Sequence, residues 1–196
     1  MTPRCPIKNP EDFVDLAESA GSTGREDCQA QWQSAVAGYL NNASVLDVGA
    51  GLCQSLDRLC VRGLRVITQD IFPGSKADMT CPIEQVPSKS FDYCTSFDVI
   101  EHVPDYEGFF KHLARISKKG FAVSTPNYFL SKNTHRFHVR EFCPDELPIL
   151  ADELGIDTHV AWCQIPGRGV FQASRKDLED CKETHGFLIL FKHIKK

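Results

Sequence analysis

The chain is 196 residues long, 42% hydrophobic and 24% charged, with a formal net charge of −4. That length and balance suit one domain with its own core and exclude a disordered or fibrous chain. No apolar run approaches the ~18 residues of a membrane span, and the N-terminal stretch lacks a signal-like apolar segment, so a soluble, cytoplasmic protein without membrane contact is expected.

In chain order, residues 11–20 read as a short amphipathic helix, and residues 26–40 as a second one with Trp32, Val36 and Leu40 on one stripe. Residues 44–48 form a buried strand that stops at Gly49-Ala50-Gly51. A helix is expected over 54–62 with Gly63 as its stop, then a strand over 64–70 ending in Asp70. Residues 71–90 are turn-rich. Residues 91–97 are the third strand, and Asp105 caps a helix over 106–117 with Phe109, Leu113 and Ile116 inward. A strand over 120–125 ends at Pro126. Residues 145–154 are expected to be helical, with Pro148 pushing the start later. Residues 156–162 and 187–193 read as strands separated by a long polar stretch, 163–186.

This alternation is the mark of a doubly wound α/β fold: a mostly parallel, seven-stranded Rossmann-like sheet with an antiparallel last strand. The expected layout is a single domain, with residues 1–43 as helices on the lid and acceptor side and residues 44–196 as the core.

Residue usage is uneven along the chain. Residues 1–98 carry 8 Lys and Arg against 13 Asp and Glu, and all seven histidines lie at position 102 or later. The nine cysteines show no CxxC spacing and read mostly as small buried hydrophobes, so no metal is expected.

In an open parallel sheet, ligands bind at the carboxyl ends of the strands where their order reverses. Two close glycines after the first strand let a backbone turn approach a ligand, and the Asp70 carboxylate can accept the two hydroxyls of a ribose. Together they point to a nucleoside-bearing cofactor. The dinucleotide fingerprint GxGxxG fails, because Gln54 stands at its third glycine, and the negative Asp47 suits a cationic ligand better than a pyrophosphate.

The run Val45-Leu-Asp-Val-Gly-Ala-Gly-Leu-Cys53, then Asp70, then Glu101-His-Val-Pro-Asp105, resembles the class I S-adenosylmethionine-dependent methyltransferases. Ala77-Asp-Met79, Ser124-Thr-Pro-Asn127 and the tail from His138 to Leu147 extend the resemblance to about 110 residues. It implies that Asp47, Val48, Gly49, Ala50 and Gly51 surround the methionine portion of S-adenosyl-L-methionine. It also implies that Asp70 takes the ribose, that Ile71 lies against the adenine, and that Asp78 and Met79 meet the adenine amino group and ring. Ser96 and Phe97 would border the methyl group. Cys53 departs from the GxGxG pattern. Asp78 as an ordinary turn residue and Asp92 as a structural residue are competing, plainer readings, and Glu101-His102 reads as an organiser of the loop after the fourth strand.

The enzyme's task would be to align an already activated methyl group for in-line displacement by an O- or N-nucleophile. A histidine base suits a hydroxyl acceptor, and His102, His135 and His138 are the candidates near sheet-end loops. The cluster Lys132, His135, Arg136, His138, Arg140 would meet an anionic acceptor or form a solvated edge. The motif of amino-group nucleic-acid methyltransferases is missing, as is a Pro-Cys nucleophile, and the net charge opposes a duplex-binding surface. A small-molecule acceptor is therefore the leading expectation. The alternatives are a protein or RNA acceptor, a dinucleotide oxidoreductase, and a cofactor-binding partner without catalysis. The oligomeric state is not legible.

Overall fold

The computed structural model describes residues 26–51, 63–165, 169–180 and 182–193. The expected helices over 11–20 and 54–62, together with Cys53, lie outside the described residues. Those described build an eight-stranded sheet in the order β3-β2-β1-β4-β5-β8-β6-β7. Its strands are β1 (Ser44–Val48), β2 (Arg65–Asp70), β3 (Met79–Thr80), β4 (Phe91–Phe97), β5 (Ser117–Pro126), β6 (Ile156–Ile165), β7 (Gly169–Ala173) and β8 (Gly186–His193). The first five pair in parallel. β8 is antiparallel to both β5 and β6, and β7 is antiparallel to β6.

The helices are α1 (Glu26–Ala37), α2 (Tyr106–Ile116), α3 (Tyr128–Ser131), α4 (Glu146–Glu153) and α5 (Arg175–Asp180). Strand residues alternate between two apolar layers, as the period of a pleated strand requires. Val45, Tyr93, Ala122, Leu188 and Leu190 face α1, where Trp32, Val36 and Leu40 are buried. Leu46, Cys94, Phe121, Ile189 and Phe191 face the other way, against Phe110 and Leu113 of α2 and Leu147 of α4. Phe110, Phe121 and Phe191 meet ring to ring with centroids 4.8–5.1 Å apart, each pair adding about 0.5–1.5 kcal/mol beyond its burial. α1 is thus a core helix as well as a neighbour of the sheet's end. Among the described residues no helix is long and apolar enough to cross a membrane.

Four local outcomes differ from the expectations. The sheet has eight strands rather than seven: the two-residue β3 lies in the stretch read as turns, and β7 lies inside the stretch read as polar loop. The latter is an edge strand with Phe171 and Gln172 exposed, so it carries no continuous apolar run. β5 starts at Ser117 rather than residue 120, and the exposed Lys118 and Lys119 disguise its beginning. α4 starts at Glu146 despite Pro148, because proline within the first turn removes an amide that has no intrahelical acceptor. Elsewhere Asp105 caps α2 through the Gly108 amide at 2.9 Å. Asp92 is structural: it accepts from the Ser44 amide and hydroxyl, each at 3.0 Å, and pairs with Lys119 at 3.2 Å. Led by the Ser44 amide bond, these contacts pull its pKa down to about 2. Cys94, Cys143 and Cys163 are buried and Cys81 is half-buried.

The strand order reverses between β1 and β4. The carboxyl ends of β1, β2, β4 and β5 therefore share one edge of the sheet, where a doubly wound fold gathers its ligands.

Candidate functional site

The loop leaving β1 bends back over the end of β2. The Gly49 and Ala50 amides both donate to the Gln69 carbonyl, at 2.9 and 3.1 Å. Gly49 has φ +72°, and a Cβ there would lie 2.6 Å from Val99 Cγ2. A side chain at this position would suffer both the left-handed backbone and a collision with the turn that follows β4. Gly49→Ala is expected to cost about 1–3 kcal/mol, read as a lower midpoint in thermal unfolding; an unchanged midpoint would show that the loop does not need this approach.

Asp47, one residue before the end of β1, is buried, and the Thr95 hydroxyl of neighbouring β4 donates to its Oδ1 at 2.7 Å. Burial pushes its pKa up to about 7, against the weaker pull of the Thr95 hydrogen bond. A carboxylate held so far from water has a strong electrostatic preference for a nearby cation. At the end of β2, Asp70 accepts the Gly51 amide at Oδ2 and the Phe72 amide at Oδ1, both at 2.8 Å. A carboxylate has about four lone-pair positions, so ribose hydroxyls can share it with these amides. Ile71, next in the chain, is 64% exposed, the most exposed large hydrophobic among the described residues.

Asp78 turns back to β2. Its Oδ2 accepts the Thr68 amide and hydroxyl at 2.9 and 2.8 Å, and these bonds hold its pKa below the ordinary carboxylate value. Met79 begins β3, beside Gln69. Ser96 donates to the Val48 carbonyl at 3.1 Å, joining the ends of β4 and β1, and Phe97 is buried beside it. The carboxyl-end residues Asp47 to Gly51, Asp70, Ile71, Ser96 and Phe97 thus line neighbouring strand ends and loops, while Asp78 and Met79 lie on the β3 side.

The second half of the site is built from the turn after β4 and the loop after β5. The Glu101 carbonyl accepts the Val139 and Arg140 amides at 2.8 and 3.2 Å, and the buried Glu101 Oε2 accepts the Thr125 hydroxyl at 3.0 Å. The organising reading of this residue therefore matches its contacts. The three candidate histidines form one cluster. The ring of His138 lies 4.9 Å from that of His102 and 4.3 Å from that of His135. His135 is exposed and His138 is buried.

The basic cluster divides by environment. Lys132, His135 and Arg136 are exposed. Arg140 is 2% exposed, pairs with Glu146 at 2.9 Å and stacks on Tyr106 and Phe142, so it serves neither a solvated edge nor an acceptor.

Two residues that sequence reasoning missed stand out. Glu141, fully buried, accepts from His138 Nδ1 at 2.6 Å, from the Asn133 amide at 2.7 Å and from the Ser131 hydroxyl. Its three-residue spacing from His138 was the available signal. Asp98 sits at φ +55° directly after β4 and exchanges hydrogen bonds with Ser124 at the end of β5. A polar residue at a strand end is the only hint of that conformation in the sequence.

Comparison with known proteins bears on the whole arrangement. Residues 24–190 match a family model described as a methyltransferase domain. Two proteins of Mycobacterium tuberculosis, both bearing the name "Probable S-adenosylmethionine-dependent methyltransferase", are 34% identical to the chain over 112 residues. The match covers 54% of this chain and 38% of each relative, so the chain spans well under half the length of these curated relatives. Among solved structures, the Burkholderia thailandensis 1,6-didemethyltoxoflavin-N1-methyltransferase, with 1,6-didemethyltoxoflavin and S-adenosylhomocysteine bound, is similar with a TM-score of 0.62 at 19% identity. That likeness covers 97% of this chain and 92% of that one. A small RNA methyltransferase is similar with a TM-score of 0.65 at 18% identity, covering 87% of this chain and 25% of that one. At these identities the solved structures share the fold.

Proposed function

The chain belongs to the class I S-adenosylmethionine-dependent methyltransferases, and we propose that it transfers the methyl group of S-adenosyl-L-methionine to a small-molecule acceptor in the cytoplasm. The observation that carries this reading is the buried Asp47 beside the Gly49–Gly51 turn, with Asp70 next to it at the end of β2. Asp47 is placed to favour the ammonium or sulfonium, Asp70 to accept ribose hydroxyls, and Ile71 to offer its exposed aliphatic face to the adenine. Ser96 and Phe97, at the end of β4, would border the methyl carbon. Asp78 keeps Oδ1 for the adenine amino group while Oδ2 holds Thr68.

The methyl on a sulfonium needs alignment more than activation. The nucleophile's lone pair attacks the carbon, the carbon–sulfur bond breaks, and its electron pair stays on sulfur as S-adenosylhomocysteine. The acceptor side is formed by the loops 98–105 and 127–142. There His135 is the exposed histidine suited to take a proton, with Lys132 and Arg136 nearby for an anionic group. Within one domain, residues 44–196 supply the cofactor side, and α1, expected on the lid side, is instead packed into the core against the sheet. The bound small molecule of the Burkholderia relative supports an acceptor of that size, as does the net charge of −4, which disfavours a nucleic-acid surface.

Titration calorimetry with S-adenosylmethionine, S-adenosylhomocysteine and NADH tests the cofactor. Heat with the first two and none with NADH is expected; the reverse would end the reading. Tight cofactor binding with no turnover across hydroxyl and amine acceptors would instead indicate a non-catalytic partner.

A further inference from the structure

Glu101, His102 and His138 each offer one ligand-type atom, and the three atoms lie within 4.8 Å of one another. We propose that these three side chains form a binding site for a divalent transition-metal ion of the zinc, manganese or cobalt class, on the acceptor side of the sheet's carboxyl edge. No metal was expected from the sequence, because the cysteines have no ligand spacing and the three residues come from two segments 36 positions apart. The fold joins those segments: the backbone of residues 139 and 140 is bonded to the Glu101 carbonyl.

The support behind the three side chains is what a metal site requires. His138 Nδ1 lies 2.6 Å from Glu141 Oε1, and His102 Nδ1 lies 2.8 Å from the Phe137 carbonyl. A carboxylate and a carbonyl only accept, so Nδ1 carries the proton in both rings. In a neutral imidazole, Nε2 is then the lone-pair nitrogen. Metal-binding histidines are oriented in this way, through a carboxylate or carbonyl on the far ring nitrogen. Glu101 is fixed through Oε2 by the Thr125 hydroxyl. Glu101 and His138 are both buried, and a fold that gathers a buried carboxylate with two imidazoles offsets its desolvation when a cation is bound.

The donor set selects the ion. Two nitrogens and one carboxylate suit borderline cations, whereas magnesium and calcium prefer all-oxygen shells. Three protein ligands also leave coordination positions open, as in catalytic rather than structural sites. The turn that carries Glu101 and His102 begins beside Val99, which abuts Gly49 of the cofactor loop. Two of the three side chains therefore belong to a turn that reaches the cofactor loop. Resting on the methyltransferase reading, the further ligand is an acceptor oxygen. Coordination lowers the hydroxyl's pKa, its proton passes to solvent, and the oxygen's lone pair takes the methyl group while the carbon–sulfur electrons remain on sulfur.

The test uses the full chain treated with a chelator and dialysed. Co2+ is added and followed by its visible absorption, and Zn2+, Mn2+ and Mg2+ are followed by calorimetry. One equivalent of Co2+ or Zn2+ is expected, with Mg2+ much weaker. Glu101→Gln, His102→Asn and His138→Asn should each weaken Co2+ at least ~10-fold, while S-adenosylmethionine heat is retained. The half-exposed His102→Asn decides the question if the buried variants fail to fold by circular dichroism. Absence of Co2+ and Zn2+ binding, or binding that survives His102→Asn unchanged, overturns the site as a hydrogen-bond network or as adventitious binding by exposed histidines. Cofactor heat without metal binding removes the metal site and leaves the methyltransferase reading standing. Metal binding without cofactor heat does the opposite.

Discussion

Asp47→Asn is expected to stabilise the fold at pH 8 and to cripple the cofactor site. The wild-type carboxyl titrates near pH 7 in the folded protein because burial raises it from an ordinary 3.8, with Thr95 pulling weakly the other way. A raised carboxylate pKa means that folding favours the protonated form. The stability it leaves intact is full below pH 3.8 and declines as the pH climbs through about 7. The gap corresponds to at most ~4 kcal/mol above pH 7. Asparagine keeps an Oδ1 for the Thr95 hydroxyl and has no charge to desolvate, so its stability should be flat across that window. Urea unfolding between pH 5 and 8 reads the difference directly.

The opposite effect falls on the ligand. Removing one member of a buried, close charge pair costs about 2–5 kcal/mol, so S-adenosylmethionine affinity should fall at least ~30-fold. For the wild type, lowering the pH below 7 should weaken cofactor binding, because the carboxyl must then release a proton to meet the cation. Equal affinities for the two proteins at pH 8 would show that Asp47 does not face the cofactor's positive charge. A residue that destabilises its own fold while serving a ligand is the signature of a functional site.

Much of this half of the molecule was legible in the sequence for a physical reason: it is local. Val45 to Gly51 announces a buried strand meeting a left-handed turn, Asp70 follows at the end of the next strand, and the Asp105 cap precedes an inward stripe at helical spacing. Each signal lies within a few residues of the structure it specifies. The acceptor half was legible only as a list of candidates. His138 looked like a loop residue and is buried, and Arg140 looked like part of a basic surface and is enclosed by Tyr106, Phe142 and Glu146. The burial of both depends on contacts outside any helical or strand period, made when the 127–142 loop docks onto the turn at 100–102. Edge strand β7 escaped for a related reason, since a half-exposed edge carries too little apolar alternation to stand out.

That docking rests heavily on Glu141, and Glu141→Leu is expected to be among the most damaging substitutions in the chain. Three donors converge on this carboxylate from within its own loop: the buried His138 ring, the Asn133 amide and the Ser131 hydroxyl. Burial alone would raise its pKa. The hydrogen bonds from His138, Ser131 and the Asn133 amide hold it below the ordinary 4.5. Its stabilising effect is therefore present above pH 4.5 and lost as the pH falls through the depressed value. Leucine fills similar space but leaves the imidazole and the amide without their acceptor. Leaving these two donors unsatisfied costs about 1–3 kcal/mol each, or a fall in melting temperature of roughly 4–24 °C for a chain of this size. Glu141→Gln keeps one acceptor oxygen and should lose less than half as much. Because the Asp47 and Asp70 sites lie on other strands, S-adenosylmethionine affinity should survive both changes at temperatures where the variants are folded, whereas acceptor turnover should collapse. Equal melting temperatures for Glu141→Leu and wild type would mean that the loop is held by its Glu101 backbone contacts instead.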